Sequence, residues 1–430
     1  MTQLQEAKVG VITDAMRTVA EREKAPPETV LAEMAAGRAV IPFNPSHKNC
    51  RPVGVGRIFS TKINANLGCS KDRSSLQEEL SKLDVALKYG ADFVMDLTVG
   101  KDVSFIRGEM LKHSPVPLGT VPIYETVSRL EGSVPKMDMS LLLDVIEEQA
   151  EQGVDFMTLH AGLLRRHIPL AMKRVMGIVS RGGSLMAEWM LEHDKENPLY
   201  ENWDKVLDIL VKHDVTVSLG DGLRPGCLAD ASDEAQFEEL SVLGELVKAC
   251  RERGVQVMVE GPGHIPFNEI KMNMEKEQEL CFGAPFYVLG PVVTDIAPGY
   301  DHLVSAIGAT AAATYGASLL CYVTPAEHLG LPTEEDVKQG CVAYKIAAHA
   351  GDVARGFPGA ADIDLKMSEA RKNFDWDKQF ECALDPETAK ARWMKGEPES
   401  HDEDHCTMCG KEFCAVRTTK RIKELLAKKD

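Results

Sequence analysis

The strongest constraint on this chain is a repeat of alternating element types. Between residues 61 and 323, short apolar, β-branched runs alternate with stretches of helical periodicity. The runs are TKINAN (61–66), DFVMDL (92–97), GTVPIY (119–124), DFMTLH (155–160), MGIVSR (176–181), VTVSLG (215–220), VQVMVE (255–260) and SLLCYV (318–323). Runs that are apolar along most of their length suit strands buried on both faces, as in a parallel sheet. The segments between them include SSLQEELSKLDVALKYG, MSLLLDVIEEQAEQG and EAQFEELSVLGELVKACRERG. The last of these ends in basic residues and Gly, as helix C-termini do. Eight such repeats match the count and period of a (β/α)8 TIM barrel, so the expected fold class is α/β. An open, doubly wound sheet is the alternative, because repetition alone does not close a barrel. A ninth apolar run, FYVLGPVVTDI (286–296), fits either architecture.

The flanks differ from the repeat. Residues 1–60 form an N-terminal helical region, carried by VITDAMRTVAEREK and PPETVLAEMAAGRAV, with Pro26 and Pro27 opening the second helix. The barrel is placed at 61–365, and 366–430 is a C-terminal helical region and tail. Within the tail, GEPESHDED (396–404) reads as a mobile acidic tether. It is followed by CTMCGKEFC and a basic helix, TTKRIKELLAKK.

Composition narrows the function classes. The 49 basic against 66 acidic side chains give a net charge of −17, which argues against nucleic acid as a main partner. The N-terminus lacks the basic-then-apolar pattern of a secretory signal, and the cysteine count of eleven is odd. Reduced thiols in a cytoplasm are therefore expected. From His302 to Ala326 there is no Asp, Glu, Lys or Arg. This stretch is long enough to span a bilayer. Its scattered Gly, Thr and Pro favour an Ala-rich buried helix followed by a buried strand, so no membrane association is expected.

Polar residues gather where the expected strands end: Asn66, Met95 with Asp96, Tyr124, His160, Ser180 to Gly182, Asp221 to Arg224, and Glu260. In a barrel, that rim is where ligands bind. Turn preference explains Asp and Asn at such positions, but not Tyr, His, Glu and Arg on successive strands. The segments SRGGS, GDGLRPG and EGPGHIP are rich in backbone N–H groups able to face a phosphate, with Arg181 or Arg224 supplying charge. No P-loop and no strand-placed dinucleotide fingerprint is present. His264 and His328 each lie in a Gly/Pro loop after a strand. If those strands are neighbours in one barrel, both imidazoles reach the same rim and can share a metal.

Cys406, Cys409 and Cys414 form C-x2-C-x4-C within nine residues. Closely spaced thiolates suit soft metal coordination. Three ligands leave one iron of an iron–sulfur cluster open. A structural zinc completed by His401 or His405 and a redox dithiol are the alternatives. Cys250 and Cys321 fall inside apolar patterns and read as core.

Several segments, in order from about residue 8 to 416, carry a specific likeness: NANLG, VMDL, SPVPLGTVPIYE, TLHAG, IVSRGGS, SLGDGLRPG, VEGPGHIP, LGPVVTDIAPGYDH, CYVTPAEHLGLP, KIAAHA and the terminal cysteine triad. Together they resemble the phosphomethylpyrimidine synthase family, radical S-adenosylmethionine lyases of thiamine biosynthesis. The resemblance implies a [4Fe–4S] cluster on Cys406, Cys409 and Cys414, with S-adenosyl-L-methionine on its open iron. It implies rearrangement of 5-aminoimidazole ribonucleotide to 4-amino-5-hydroxymethyl-2-methylpyrimidine phosphate. By the same matching, Asn66, Met95, Tyr124, His160, Ser180, Arg181, Gly182, Asp221, Gly222, Leu223, Arg224, Glu260 and Tyr287 line the substrate. His264 and His328 hold zinc or another divalent ion. A homodimer, whose cluster segment reaches the partner barrel, and an external electron donor are also implied. Thr98 to Lys101 depart from the family's Ser-Thr-Gly-Gly. A paralogue that takes the same substrate to 5-hydroxybenzimidazole is the alternative. A zinc-stabilised phosphate-sugar binding protein is the alternative of another class.

Overall fold

The computed structural model describes residues 1–69, 75–100, 102–396 and 404–428. Eight parallel strands close into a barrel in sequence order: β1 (Lys62–Leu67), β2 (Phe93–Asp96), β3 (Leu118–Thr120), β4 (Phe156–Leu159), β5 (Thr216–Leu219), β6 (Val257–Gly261), β7 (Phe286–Leu289) and β8 (Leu319–Cys321). Closure is made by β8, which pairs Leu320 with Val288 of β7 and with Ile63 of β1. Nearly every strand residue is buried, because helices cover the outside and side chains fill the inside. That is why the runs are continuously apolar rather than alternating.

Side chains two apart share a strand face. Met95 faces the C-terminal mouth, so Phe93 lies below it, meeting Phe156 edge-to-face with ring centroids 5.9 Å apart. Gly119 faces the Phe156 ring closely enough that any side chain there would collide with it. The rings thus fill the barrel interior below its C-terminal end.

Two expected strands are corrected. MGIVSR (176–181) is not a strand. After β4 the chain makes a single 3-10 turn (Arg165–His167) and a short helix (Ile168–Ala171). It then runs along the surface, where Val175 is 76% and Met176 54% exposed. Ser180 next caps the helix Arg181–His193, its Oγ accepting from Gly183 N at 3.2 Å. The vacancy is filled by FYVL of the surplus run, which becomes β7. GTVPIY is strand only to Thr120, because Pro122 opens the helix Pro122–Arg129 and puts Tyr124 in its first turn. The charge-free stretch forms the helix Asp301–Tyr315 and then β8. Among the described residues, no helix is long and apolar enough to cross a membrane.

The chain divides into two compact units, Met1–Arg355 and Gly356–Asp430. In the first, the helices Gln3–Lys8, Asp14–Arg22 and Pro27–Ala35 precede the barrel. The second and third build a small core of their own from Met16, Val19, Val30, Met34, Ile41 and Phe59. A polar clamp ties the following segment to the closed end of the barrel. His47 Nδ1 meets Asp155 Oδ2 at 2.7 Å, and its Nε2 lies 2.9 Å from Leu111 O and 3.1 Å from Ser114 O. Both ring nitrogens face acceptors, and against the cost of burial Asp155 and the two carbonyls raise the pKa of the ring, favouring its protonated form. In the second unit, Trp393 packs against Trp376 and Phe380 across short helices. The tether expected at 396–404 lies mostly outside the described residues.

Candidate active site

At the open end of the barrel is a cavity of about 490 Å³. Eight of the expected substrate residues line it: Asn66, Met95, Tyr124, His160, Asp221, Arg224, Glu260 and Tyr287. They come from seven successive strands, β1 to β7, or from the segments that follow them. The floor is cross-braced. Tyr287 donates to Met95 Sδ at 3.5 Å, and Asn66 Nδ2 lies 3.1 Å from Cys321 Sγ. Glu260 accepts from Thr158 Oγ1 at 2.6 Å and Ser218 Oγ at 2.8 Å. Arg224 donates to Asp221 Oδ1 at 3.1 Å, and the Arg181 guanidinium lies 5.0 Å from the Tyr124 ring centroid.

The other expected residues act from behind the lining. Ser180 caps the helix by accepting the Gly183 N–H, and the N–H groups of Arg181 and Gly182 ahead of it point along the helix axis, a favourable place for an anion. Gly182 lies against the His160 ring, where a Cβ would come within 2.8 Å of Nε2 and closer still to other ring atoms. Gly222 packs on Gly183 with no side chain between the two backbones. Leu223 is buried, and its N–H donates to Glu239 Oε2 at 2.7 Å.

Burial sets the protonation states. His160 is held neutral, its pKa pushed down to about 3 by burial and then by the Arg224 charge, and its Nδ1 has no protein partner. Burial pushes Asp221 up to about 7 against the pull of Arg224, with Glu260 adding to the rise. Glu260 is raised by burial and partly restored by its two hydroxyl donors. The site therefore offers two guanidinium cations, a neutral imidazole, the Asp221 carboxyl able to carry a proton near neutrality, and the Glu260 carboxyl raised above its ordinary range.

Some lining residues were not singled out in the sequence. Cys321, read there as core, is buried in the core and also lines the cavity. Thr158 and Ser218 hold Glu260, and Glu239 holds the loop after β5. The i, i+2 spacing of Thr158 from His160 was a readable sign; for Glu239, on the helix Glu234–Arg253, there was none.

His264 and His328 meet at the rim, with ring centroids 5.6 Å apart. Their strands, β6 and β8, are not neighbours as expected; β7 lies between them. The loop after β6 bridges the gap by pairing His264 with Val292, beyond β7. Each Nδ1 faces a carboxylate, His264 toward Asp295 Oδ1 at 3.0 Å and His328 toward Asp301 Oδ1 at 3.7 Å. A carboxylate at Nδ1 favours the tautomer that leaves Nε2 for a metal.

In the second unit, Cys409 and Cys414 precede the first turns of the helices Gly410–Phe413 and Ala415–Ala427. Cys406, Cys409 and Cys414 are free thiols. Their sulfurs do not lie within 4.8 Å of one another. Among the described residues the groups that do are His47, Cys50 and Asp155, and Glu147, Glu151 and His213. The first is the clamp described above; the second has the Lys212 ammonium 2.6 Å from Glu147. His405 contacts Asp404 at 3.4 Å, and His401 and Lys101 lie outside the described residues.

Residues 2–421 match the model of the Radical SAM ThiC family. The chain is 57% identical over 418 residues to a protein of Halobacterium salinarum named phosphomethylpyrimidine synthase, covering 97% of this chain and 88% of that one. A phosphomethylpyrimidine synthase of Natronomonas pharaonis is likewise 57% identical over 425 residues, covering 98% and 89%. Among solved structures, a dihydropteroate synthase from Stenotrophomonas maltophilia superimposes with a TM-score of 0.44 at 12% identity, covering 74% of this chain and 99% of that one. A family match from end to end, on an open-ended barrel with this polar cavity, places the chain in the Radical SAM ThiC family, whose chemistry runs on S-adenosylmethionine and an iron–sulfur cluster.

Proposed function

We propose that this chain is a phosphomethylpyrimidine synthase, a radical S-adenosylmethionine lyase that rearranges 5-aminoimidazole ribonucleotide to 4-amino-5-hydroxymethyl-2-methylpyrimidine phosphate for thiamine. The observation that carries the reading is the cavity, in which eight residues spread over more than two hundred positions of chain converge. Cys406, Cys409 and Cys414 would hold a [4Fe–4S] cluster, which together with S-adenosylmethionine would supply a 5′-deoxyadenosyl radical.

The chain's own residues do the rest. Arg224, Arg181 and the free N–H groups of the Ser180-capped helix bind the substrate phosphate. Neutral His160 and Asn66 hydrogen-bond the aminoimidazole and ribose, with Ser180, Gly182, Gly222 and Leu223 shaping the loops around them. Asp221 and Glu260, carboxyls raised by burial, take and return protons during the rearrangement. Met95, Tyr124 and Tyr287 wall the cavity and exclude water. At the rim, His264 and His328 hold zinc or another divalent ion through Nε2. The division into a helical region (1–60), barrel (61–365) and cluster-bearing tail (366–430), a cytoplasmic homodimer and an external electron donor complete the reading.

Anaerobic reconstitution with iron and sulfide, followed by turnover of 5-aminoimidazole ribonucleotide with mass detection, tests it. The expected result is the pyrimidine phosphate, with 5′-deoxyadenosine formed. A product of the mass of 5-hydroxybenzimidazole, or no 5′-deoxyadenosine, refutes it. The Cys406→Ala variant is expected to keep the barrel fold and lose turnover.

A further inference from the structure

The loop after β5 carries two of the lining residues, Asp221 and Arg224. It is held from behind. Glu239, on the helix Glu234–Arg253, is 2% exposed, and its Oε2 accepts the Leu223 N–H at 2.7 Å. Its Oε1 has no protein partner. It sits beneath Gly222, where a Cβ would stand 2.9 Å from it. The same helix is fixed at its start, because Arg174 grips the capping Asp233 at 2.6 and 2.8 Å. Arg174 also reaches Arg224 O at 3.5 Å. A second cavity of about 330 Å³, lined by Glu239, Gln236 and Asn273 together with Asp221, Arg224 and Glu260, separates this buried layer from the substrate side.

We propose that Glu239 is a positioning residue: its carboxyl fixes the backbone at Leu223, between Asp221 and Arg224, and so aims both side chains into the substrate cavity. The inference rests on the substrate-site reading above and extends it to a residue that touches no substrate. The chemistry of the carboxyl fits the role. Burial, with Asp221 adding to it, pushes Glu239 up to about 8 against the pull of its backbone donors and Arg174. At neutral pH it is therefore mostly the neutral acid, whose remaining oxygen still accepts from Leu223. Neutral Glu has a close mimic in Gln, and reach rather than charge is what the loop needs.

The test uses the anaerobically reconstituted full-length enzyme and compares wild type with Glu239→Gln, Glu239→Asp, Glu239→Leu and Arg224→Ala. KM for 5-aminoimidazole ribonucleotide, kcat and the far-ultraviolet circular dichroism spectrum are read for each. Glu239→Gln is expected within about twofold of wild type. Glu239→Asp falls short of Leu223 by one methylene, and Glu239→Leu offers no acceptor. Both are expected to raise KM roughly tenfold or more, more than they lower kcat, with an unchanged spectrum. The Asp variant keeps the test open if Leu fails to fold. A wild-type KM in Glu239→Asp, or a Gln variant as impaired as Asp while folded, overturns the proposal. An unchanged KM in Arg224→Ala instead overturns the substrate-site reading beneath it.

Discussion

Gly183→Ala offers a direct measure of how much activity depends on the backbone-to-backbone contact beside the cavity. Gly183 has ordinary helical geometry, so an alanine there meets no conformational penalty; the whole effect is steric. Its Cβ would stand 2.7 Å from Gly222 Cα and 2.8 Å from Gly222 C, and closer still to the carbonyl oxygen. Carbon atoms settle at about 3.5 Å or more, so the loop after β5 must retreat by about 1 Å. Overpacking of that size costs about 1–3 kcal/mol. Spread over a unit as large as Met1–Arg355, this lowers the melting temperature by only about 1–4 °C. Misplacing Asp221 and Arg224 by the same distance is expected to cost roughly a hundredfold in kcat/KM. Thermal unfolding of the purified variant and anaerobic turnover with mass detection read the two effects separately. A kcat/KM within threefold of wild type, in a variant whose melting temperature has fallen as stated, would falsify the claim that the loop position matters to substrate.

Three further outcomes are expected. His160 binds its proton only near pH 3 in the fold but near 6.5 when unfolded, so it favours the folded state fully above pH 6.5 and loses that contribution as pH falls toward 3. Melting temperatures across that range should decline in the wild type and decline less in His160→Gln. Replacing His47 by Leu strands the buried Asp155 carboxylate and is expected to cost about 3–5 kcal/mol in denaturant unfolding. Because the folded pKa of His47 is raised, the gap between variant and wild type should be full below pH 6.5 and shrink as pH rises through the raised value. Finally, wild type should carry one divalent ion per chain besides the cluster iron by elemental analysis, and the His264→Ala/His328→Ala double variant the cluster iron alone. Equal metal content in the two would place the ion elsewhere.

The repeat of apolar runs was enough to reach an α/β fold of parallel strands and to favour a barrel, because strands buried on both faces leave an unbroken apolar signature in one dimension; closure itself is in the strand pairing. The repeat was not enough to identify every strand. MGIVSR and FYVL are both short runs with a β-branched, apolar centre, and what separates them is exposure: Met176 faces solvent and Gly177 to Val179 are half-buried, whereas FYVL is nearly all buried between β6 and β8. Helix starts were legible where a local residue dictates them, as Pro122 does. The cysteine triad stands out in the sequence by its spacing alone.

What the chain's linear order alone determined, then, is the set of local decisions: element type, caps, glycine-rich turns and closely spaced ligands. Closure of the barrel decided the rest. It put Cys321 beside Asn66, 255 residues away, and so made a core cysteine line the cavity as well. It carried Thr158 and Ser218 to Glu260 and seated His264 against His328 across an intervening strand. It also set Glu239 behind a loop sixteen residues earlier. Each of these contacts joins residues on different elements, and their partners are chosen by strand order and helix packing, which no local pattern encodes.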